Sequence, residues 1–281
     1  MRPKSKKVIL IATIVLVVLF VAWIFLYHPV GGNKLADQIE ETALTSNVLI
    51  MQESTYVSQG NGDPNSAAST GTAYSAGASG TIIKREGDRY YVLTAYHVIK
   101  PKKDTESREI LIADYSEKAK IERGDYQKYQ GLENFYNRFH KARVEFYDKN
   151  YDLAVISFIS KENYTTIIIA DSLPGYGEVV GTLSNPHENA RNTITTGRIV
   201  GFRTMASTLK FYGVKNPMLT HTARGSDGSS GGMVLNENLQ LIGVTLGGAE
   251  IKFFAFQFPL TGKAMPCDRI LDFFAENGFQ I

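Results

Sequence analysis

Three short motifs in a set order constrain this chain more than any bulk property. Leu93-Thr94-Ala95-Tyr96-His97-Val98 comes first, Tyr151-Asp152-Leu153-Ala154-Val155 second, and Gly228-Ser229-Ser230-Gly231-Gly232-Met233 last. Each places one chemically active side chain beside a short apolar run. A serine hydroxyl must lose its proton as it attacks. An imidazole can take that proton and later return it to the leaving group, and a buried carboxylate holds the imidazole in the required tautomer. A glycine two residues before the serine lets the chain turn, so that the N–H groups of Gly228 and Ser230 point into one hole for a developing oxyanion. Ser230 is therefore the candidate nucleophile, His97 the base and Asp152 its orienter. The neighbouring Ser229 is expected to point away, because such a turn presents one hydroxyl. His140, His187 and His221 lack a comparable setting, and Thr220–Ala223 reads as a strand leading into the serine loop.

The order excludes two other arrangements. Gly228–Gly232 also fits the Gly-x-Ser-x-Gly nucleophile elbow, but that elbow needs a histidine after the serine. The last histidine is His221. An Asp, His, Ser order would recruit Asp63 or Asp88, yet it belongs to helix-rich parallel α/β chains, and the patterns here are short strands and turns. Strands are predicted over 47–52, 81–84, 90–95, 109–114, 142–147 and 153–158, then over 178–183, 193–202, 219–222, 232–235, 241–246 and 253–258. Regular short strands with Gly and Asn turns suit closed antiparallel sheets. The predicted fold class is all-β: two six-stranded antiparallel β-barrels, about 47–170 and 171–265, with a C-terminal helix over about 266–277. Ser58–Gly80, rich in small polar residues, reads as a long loop. Tyr115–His140, charged and aromatic, reads as an inserted helical excursion, either a solvated surface or a docking surface.

The motifs taken together resemble the trypsin-like (chymotrypsin-fold) serine peptidases, in particular the HtrA/DegP-like bacterial branch. Ser79-Gly80-Thr81-Ile82-Ile83 resembles the strand entry upstream of the histidine. Gly177 to Asn185-Pro186, Thr195-Thr196-Gly197-Arg198-Ile199-Val200 and Leu241-Ile242-Gly243-Val244 resemble the hairpin and strand that flank the serine motif. The resemblance covers about residues 46–275. It implies a serine endopeptidase working through an acyl-enzyme, without a cofactor or metal, on protein or peptide substrates; trimers occur in that branch. This sequence departs from the pattern at Ser229, where relatives often carry Asn, and at Arg224, where many carry a small apolar residue. Its His97–Asp152 spacing of 55 residues is longer than the branch leads one to expect. No PDZ domain is expected, because the sequence ends at Ile281.

In such a fold the loop before the serine and the strand after it line the pocket for the residue on the acyl side of the scissile bond (P1). Here those are Arg224 and Thr245, Leu246, Gly247 and Gly248, with Ala255 opposite. Substrate would add as a strand beside Thr245–Gly248. Arg224 at the pocket base would favour an acidic P1 residue. Neutralised by Asp227 or turned to solvent, it would not, and the branch resemblance implies a small aliphatic P1 instead.

Val8–Tyr27 is an uncharged run of 20 residues, long enough to cross a bilayer as one helix. The tail 1–7 is basic, and Trp23 and Tyr27 sit near the far end as an interfacial belt would. Phe25-Leu26-Tyr27-His28-Pro29 offers no small-x-small exit, which favours an uncleaved signal anchor over a signal peptide cut near Gly31–Lys34. The expected layout is a cytoplasmic tail 1–7, a membrane segment 8–27, a stalk 28–46 and an extracytoplasmic protease domain 47–281, extracellular or periplasmic. The formal net charge of +2 includes four cations in the tail, Arg2, Lys4, Lys6 and Lys7, so the remainder is close to neutral and nucleic acid is not an expected partner. Cys267 is the only cysteine, so no intramolecular disulfide can form and the core must supply stability. Two function classes follow: a membrane-anchored serine endopeptidase, or a catalytically silent scaffold of the same fold that binds peptides at the envelope.

Overall fold

The computed structural model describes residues 8, 9, 11–18, 20, 21, 31–58, 69–101, 107–118, 120, 122, 124–186, 190–204, 217–253 and 256–281. Seven strands build the first sheet: β1 (Asn47–Ser58), β2 (Ser69–Tyr74), β3 (Ala78–Glu86), β4 (Arg89–Ala95), β5 (Ser107–Ala113), β6 (His140–Asp148) and β7 (Leu153–Ile159). Six of them form a ring in the order β1-β3-β4-β7-β6-β5, closed by pairing of β5 with β1. The second barrel closes as β10-β13-β12-β11-β8-β9, from β8 (Val179–Ser184), β9 (Thr193–Thr204), β10 (Pro217–His221), β11 (Met233–Leu235), β12 (Leu241–Phe253) and β13 (Phe256–Pro266). All strand pairings within the two barrels are antiparallel, as expected from the sequence.

Side chains on a strand alternate between faces, and in the first barrel both faces are used. Val48 and Ile50, Val92, Ile110 and Ile112, and Ala154, Ile156 and Phe158 fill its interior. The opposite phase of β4 and β7, at Leu93, Ala95, Leu153 and Val155, packs in the same apolar cluster as Val180, Leu183, Val244, Ile270 and Phe273 of the second barrel and C-terminal helix. The opposite phase of β1 and β5, at Leu49, Met51, Leu111 and Ala113, lies under Phe135, Tyr136 and Phe139. This double burial explains why β7 reads as a continuous apolar run. The chain crosses between barrels at 160–178, where Ile169 pairs in parallel with Leu241 and the Ala170 N–H donates to the Leu241 carbonyl at 3.0 Å.

Four expectations are corrected. Part of the predicted loop 58–80 is β2, which extends the edge of β1 beyond β3 and gives the first sheet a seventh strand; residues 59–68 lie outside the described ones. Among its described residues the insertion carries two short helices, Asp125–Tyr129 and Leu132–Tyr136, and Phe135, Tyr136 and Phe139 are not solvated but cap the outer side of β1 and β5, while Tyr126 is exposed. The strand predicted over 253–258 is not one element: Phe253 ends β12 and Phe256 begins β13, residues 254 and 255 lie outside the described ones, and the long pairing of β12 with β13 takes in Pro259 beside a register shift at Ala249/Glu250. Residues 31–46 do not stand off as a stalk. Gly32–Ala43 is an amphipathic helix whose Leu35, Ile39 and Ala43 are buried in the large apolar cluster with Val180 and Leu183 of β8.

The C-terminal helix runs Cys267–Glu276 and buries Ile270, Phe273 and Phe274. Cys267 donates to the Ser172 carbonyl at 3.3 Å, and burial pushes its thiol up to about 11. The described residues within 8–21 are helical; no helix among the described residues is long and apolar enough to cross a membrane. Residues 10, 19 and 22–27 of the predicted span lie outside the described ones.

If the 32–43 helix belongs to the folded unit, Ile39→Ala should lower unfolding free energy by about 2–4 kcal/mol. The exposed Glu40→Ala should change it by about 0.5 kcal/mol or less. Urea denaturation of both variants reads the difference; equal, small effects would return the segment to a stalk.

Candidate active site

The histidine and aspartate motifs meet because β4 and β7 are antiparallel neighbours, with Ala95 opposite Leu153. β4 ends at Ala95, and a single helical turn, Tyr96–Ile99, carries His97 away from the sheet. Just before β7, Asp152 takes a positive φ of 52°. This left-handed conformation is uncommon for a residue with a side chain, and three bonds hold it. The Tyr96 N–H donates to the Asp152 carbonyl at 2.9 Å, the His97 N–H donates to Oδ1 at 2.9 Å, and His97 Nδ1 lies 2.7 Å from Oδ2. Asp152 is buried while the imidazole keeps a small exposed edge. A carboxylate so placed fixes the ring orientation and leaves Nε2 as the nitrogen available to a substrate-side proton. The competing carboxylate Asp148 instead caps a turn, accepting the Asn150 and Tyr151 N–H groups.

The serine loop comes from the other barrel, between β10 and β11. Gly228 has φ 92°, a value that glycine adopts without strain. The Ser229 N–H donates to the Ser226 carbonyl at 2.9 Å, whereas the N–H groups of Gly228 and Ser230 meet no backbone carbonyl among the described residues. Ser229 is buried, and its Oγ accepts the Ser226 N–H at 3.1 Å and the Ser184 hydroxyl at 3.3 Å. Ser230 is the half-exposed member of the pair.

Ser79 of β3 ties this loop to the first barrel. Its N–H donates to the Ser230 carbonyl at 2.8 Å, and its hydroxyl donates to the Gly228 carbonyl at 2.8 Å. The same Oγ accepts the Asn185 N–H at 2.7 Å, and its carbonyl accepts the Thr94 hydroxyl at 2.8 Å. Every polar group of this buried residue is thus engaged. The Ser79 motif was visible in the sequence only as a strand entry; the role of its side chain was not.

His97, Ser230 and Gly228 line one cavity of about 670 Å³. Arg224, Thr245, Leu246, Gly247 and Gly248 line it too, as expected, while Ala255 lies outside the described residues. Leu246 and Thr245 are both buried, leaving the open part of that strand at Gly247 and Gly248. Arg224 is exposed rather than desolvated, with its carbonyl accepting the Thr195 hydroxyl at 2.7 Å. The cavity also touches His221, which sequence reasoning set aside as part of a strand. Of the other histidines, His140 packs on Phe158 with ring centroids 5.0 Å apart, and His187 lies outside the described residues.

Residues 78–244 match the family model of the trypsin-like peptidase domain, and the chain belongs to that family. It is a serine peptidase of the trypsin-like class. Among solved structures it is similar to the HtrA-type protease AlgW with decapeptide, at 19% identity and a TM-score of 0.57, over 85% of this chain and 66% of that one. A serine-to-alanine variant of the same protease, also with decapeptide, matches at 18% identity and a TM-score of 0.58, over 88% of this chain and 68% of that one. These likenesses concern the fold, and the chain spans only about two thirds of the AlgW chains. No curated protein matches the sequence.

Replacing Ser79 with alanine leaves the Gly228 carbonyl without its donor and the Asn185 N–H without its acceptor. Ser79→Ala should cost about 1–3 kcal/mol in stability, measurable by urea unfolding. A change below about 0.5 kcal/mol, the range of an ordinary surface substitution, would show that the loop is held otherwise.

Proposed function

We propose that this chain is a membrane-anchored serine endopeptidase that hydrolyses peptide bonds of extracytoplasmic proteins through Ser230, His97 and Asp152. The observation that carries the reading is the 2.7 Å contact between His97 Nδ1 and Asp152 Oδ2, on the wall of the cavity that also receives Ser230. In this mechanism His97 Nε2 takes the Ser230 proton as Oγ attacks the substrate carbonyl. The oxyanion is held by the N–H groups of Gly228 and Ser230. The imidazolium, stabilised by Asp152, then protonates the leaving amine, and an acyl-enzyme remains on Ser230. Water, deprotonated by His97, releases the acid product and restores the serine. No cofactor enters any step.

An extended peptide added beside Thr245–Gly248 would bring its scissile carbonyl to Ser230 by backbone pairing. That AlgW was solved with a decapeptide supports a peptide as occupant. The uncharged run Val8–Tyr27 after a basic tail supports a single-pass anchor, N-terminus inside and catalytic domain outside.

A fluorophosphonate probe should label the full chain at Ser230. Ser230→Ala should abolish both labelling and peptide hydrolysis while the melting temperature stays within a few degrees of wild type. Asp152→Asn should lower kcat by roughly 10³–10⁴-fold through loss of the correct tautomer. Labelling that survives in Ser230→Ala would sink the assignment. The anchor has its own check: the protein should stay with membranes after an alkaline carbonate wash, and deletion of residues 1–27 should release it.

A further inference from the structure

Burying a polar group without a hydrogen bond is unfavourable, so proteins rarely leave one unsatisfied. His221 is such a group. It is 1% exposed, and neither ring nitrogen has a hydrogen-bond partner among the described residues. It is the last residue of β10 and pairs with Gly262 of β13, which pairs in turn with Gly248 of β12. The imidazole lies over Gly262: a Cβ there would come within 2.6 Å of Nε2. Two glycines side by side thus leave a space on the substrate strand, and His221 lines the same cavity as Ser230. Resting on the reading of that cavity as a peptidase active site, we propose that His221 forms the floor of the P1 subsite and selects substrates with an acidic P1 side chain, glutamate foremost.

The charges around the ring favour this ligand. Lys263, cross-strand partner of Thr220, is buried and donates to Thr220 Oγ1 at 2.7 Å. Its ammonium lies near enough to disfavour a proton on His221. Burial is the larger cause and lowers His221 to about 4, with the Lys263 charge acting in the same direction; the Ala223 backbone pulls the other way without meeting hydrogen-bond geometry. The ring therefore rests neutral, with one N–H donor and one acceptor free. Of the charged residues lining the cavity, Lys100 and Arg224 are cationic and Asp227 anionic. A carboxylate entering this space accepts the imidazole N–H in a positive local field. An apolar P1 side chain leaves both ring nitrogens unsatisfied, and a lysine side chain meets Lys263. The acidic preference once assigned to Arg224 thus moves to His221, because Arg224 is exposed.

Two measurements test the proposal. Fluorogenic peptides differing only at P1 (Glu, Gln, Val, Lys) should show kcat/KM higher for Glu than for Val by roughly 10–100-fold, the size expected of one hydrogen bond to a charged group. In His221→Leu that ratio should fall at least about tenfold, and in Lys263→Met it should fall less. His221→Leu also replaces an unsatisfied imidazole with an apolar side chain, so its melting temperature should hold or rise, which separates selectivity from misfolding. Calorimetry with product-like peptides ending in Glu or Val, on full-length Ser230→Ala, reads the same preference without turnover. Tighter binding of the Glu peptide, lost in Ser230→Ala/His221→Leu, supports the proposal even if hydrolysis fails. Equal or tighter binding of the Val peptide overturns it, whether or not fluorophosphonate labels Ser230.

Discussion

The active-site geometry depends on the seam where Ser79 of the first barrel holds the serine loop of the second. Two closed barrels with separate interiors have no intrinsic reason to adopt one relative orientation, since apolar contact is not directional. Hydrogen bonds are. Ser79 engages Ser230, Gly228, Asn185 and Thr94 at once. Beside it the Asn47 side chain donates to Asn185 and Asn192, and the Asn185 amide donates to the Val48 carbonyl. Arg191, also at this seam, reaches the Asp114 and Glu117 carbonyls, and burial lowers its guanidinium to about 10. Buried groups of this kind are costly when unpaired, so the satisfied network admits one docking of the barrels.

That docking divides the chemistry. The proposed acid–base pair is internal to the first barrel, where adjacent strands bring His97 and Asp152 together without help from the second. The proposed nucleophile, the candidate oxyanion donors and the proposed substrate edge all belong to the second. A small rotation at the seam would carry Ser230 away from His97 while leaving each barrel intact. The helix 32–43 and the C-terminal helix brace the arrangement from outside, through Ile39 against the second barrel and through the Tyr151 hydroxyl, which donates to Glu276 at 2.8 Å. His221 adds a local cost of a different kind: an unsatisfied ring kept in the cavity wall, which makes sense as a group awaiting a ligand.

Much of this was legible in the residues. The order His97, Asp152, Ser230 selected the fold class because each motif carried its own strand signal, and short-range alternation located eleven of the strands. Errors fell where local signals mislead. The last predicted strand ended at 258, yet Pro259 and Gly262 both lie in β13, one beside a register shift and the other under an imidazole. Residues 28–46 read as a stalk because nothing in the sequence revealed that the apolar face of Gly32–Ala43 had a barrel to pack on. The 115–140 insertion was legible as charged and aromatic, but which of its rings would be buried was not: only the apolar backs of β1 and β5 make Phe135, Tyr136 and Phe139 a cap.

Local chemistry sufficed for what the sequence determined: which side chains could serve as nucleophile, base and orienter, which turn could present an oxyanion hole, and which run could cross a bilayer. These depend on residue type and on neighbours a few positions away. The tertiary structure alone decided that Ser79 clamps the serine loop, that Arg224 is exposed, and that His221 is a buried polar group in the wall of the cavity that also receives Ser230. Those are properties of strands far apart in the chain meeting in one register, and burial and hydrogen-bond satisfaction are defined only once that register exists.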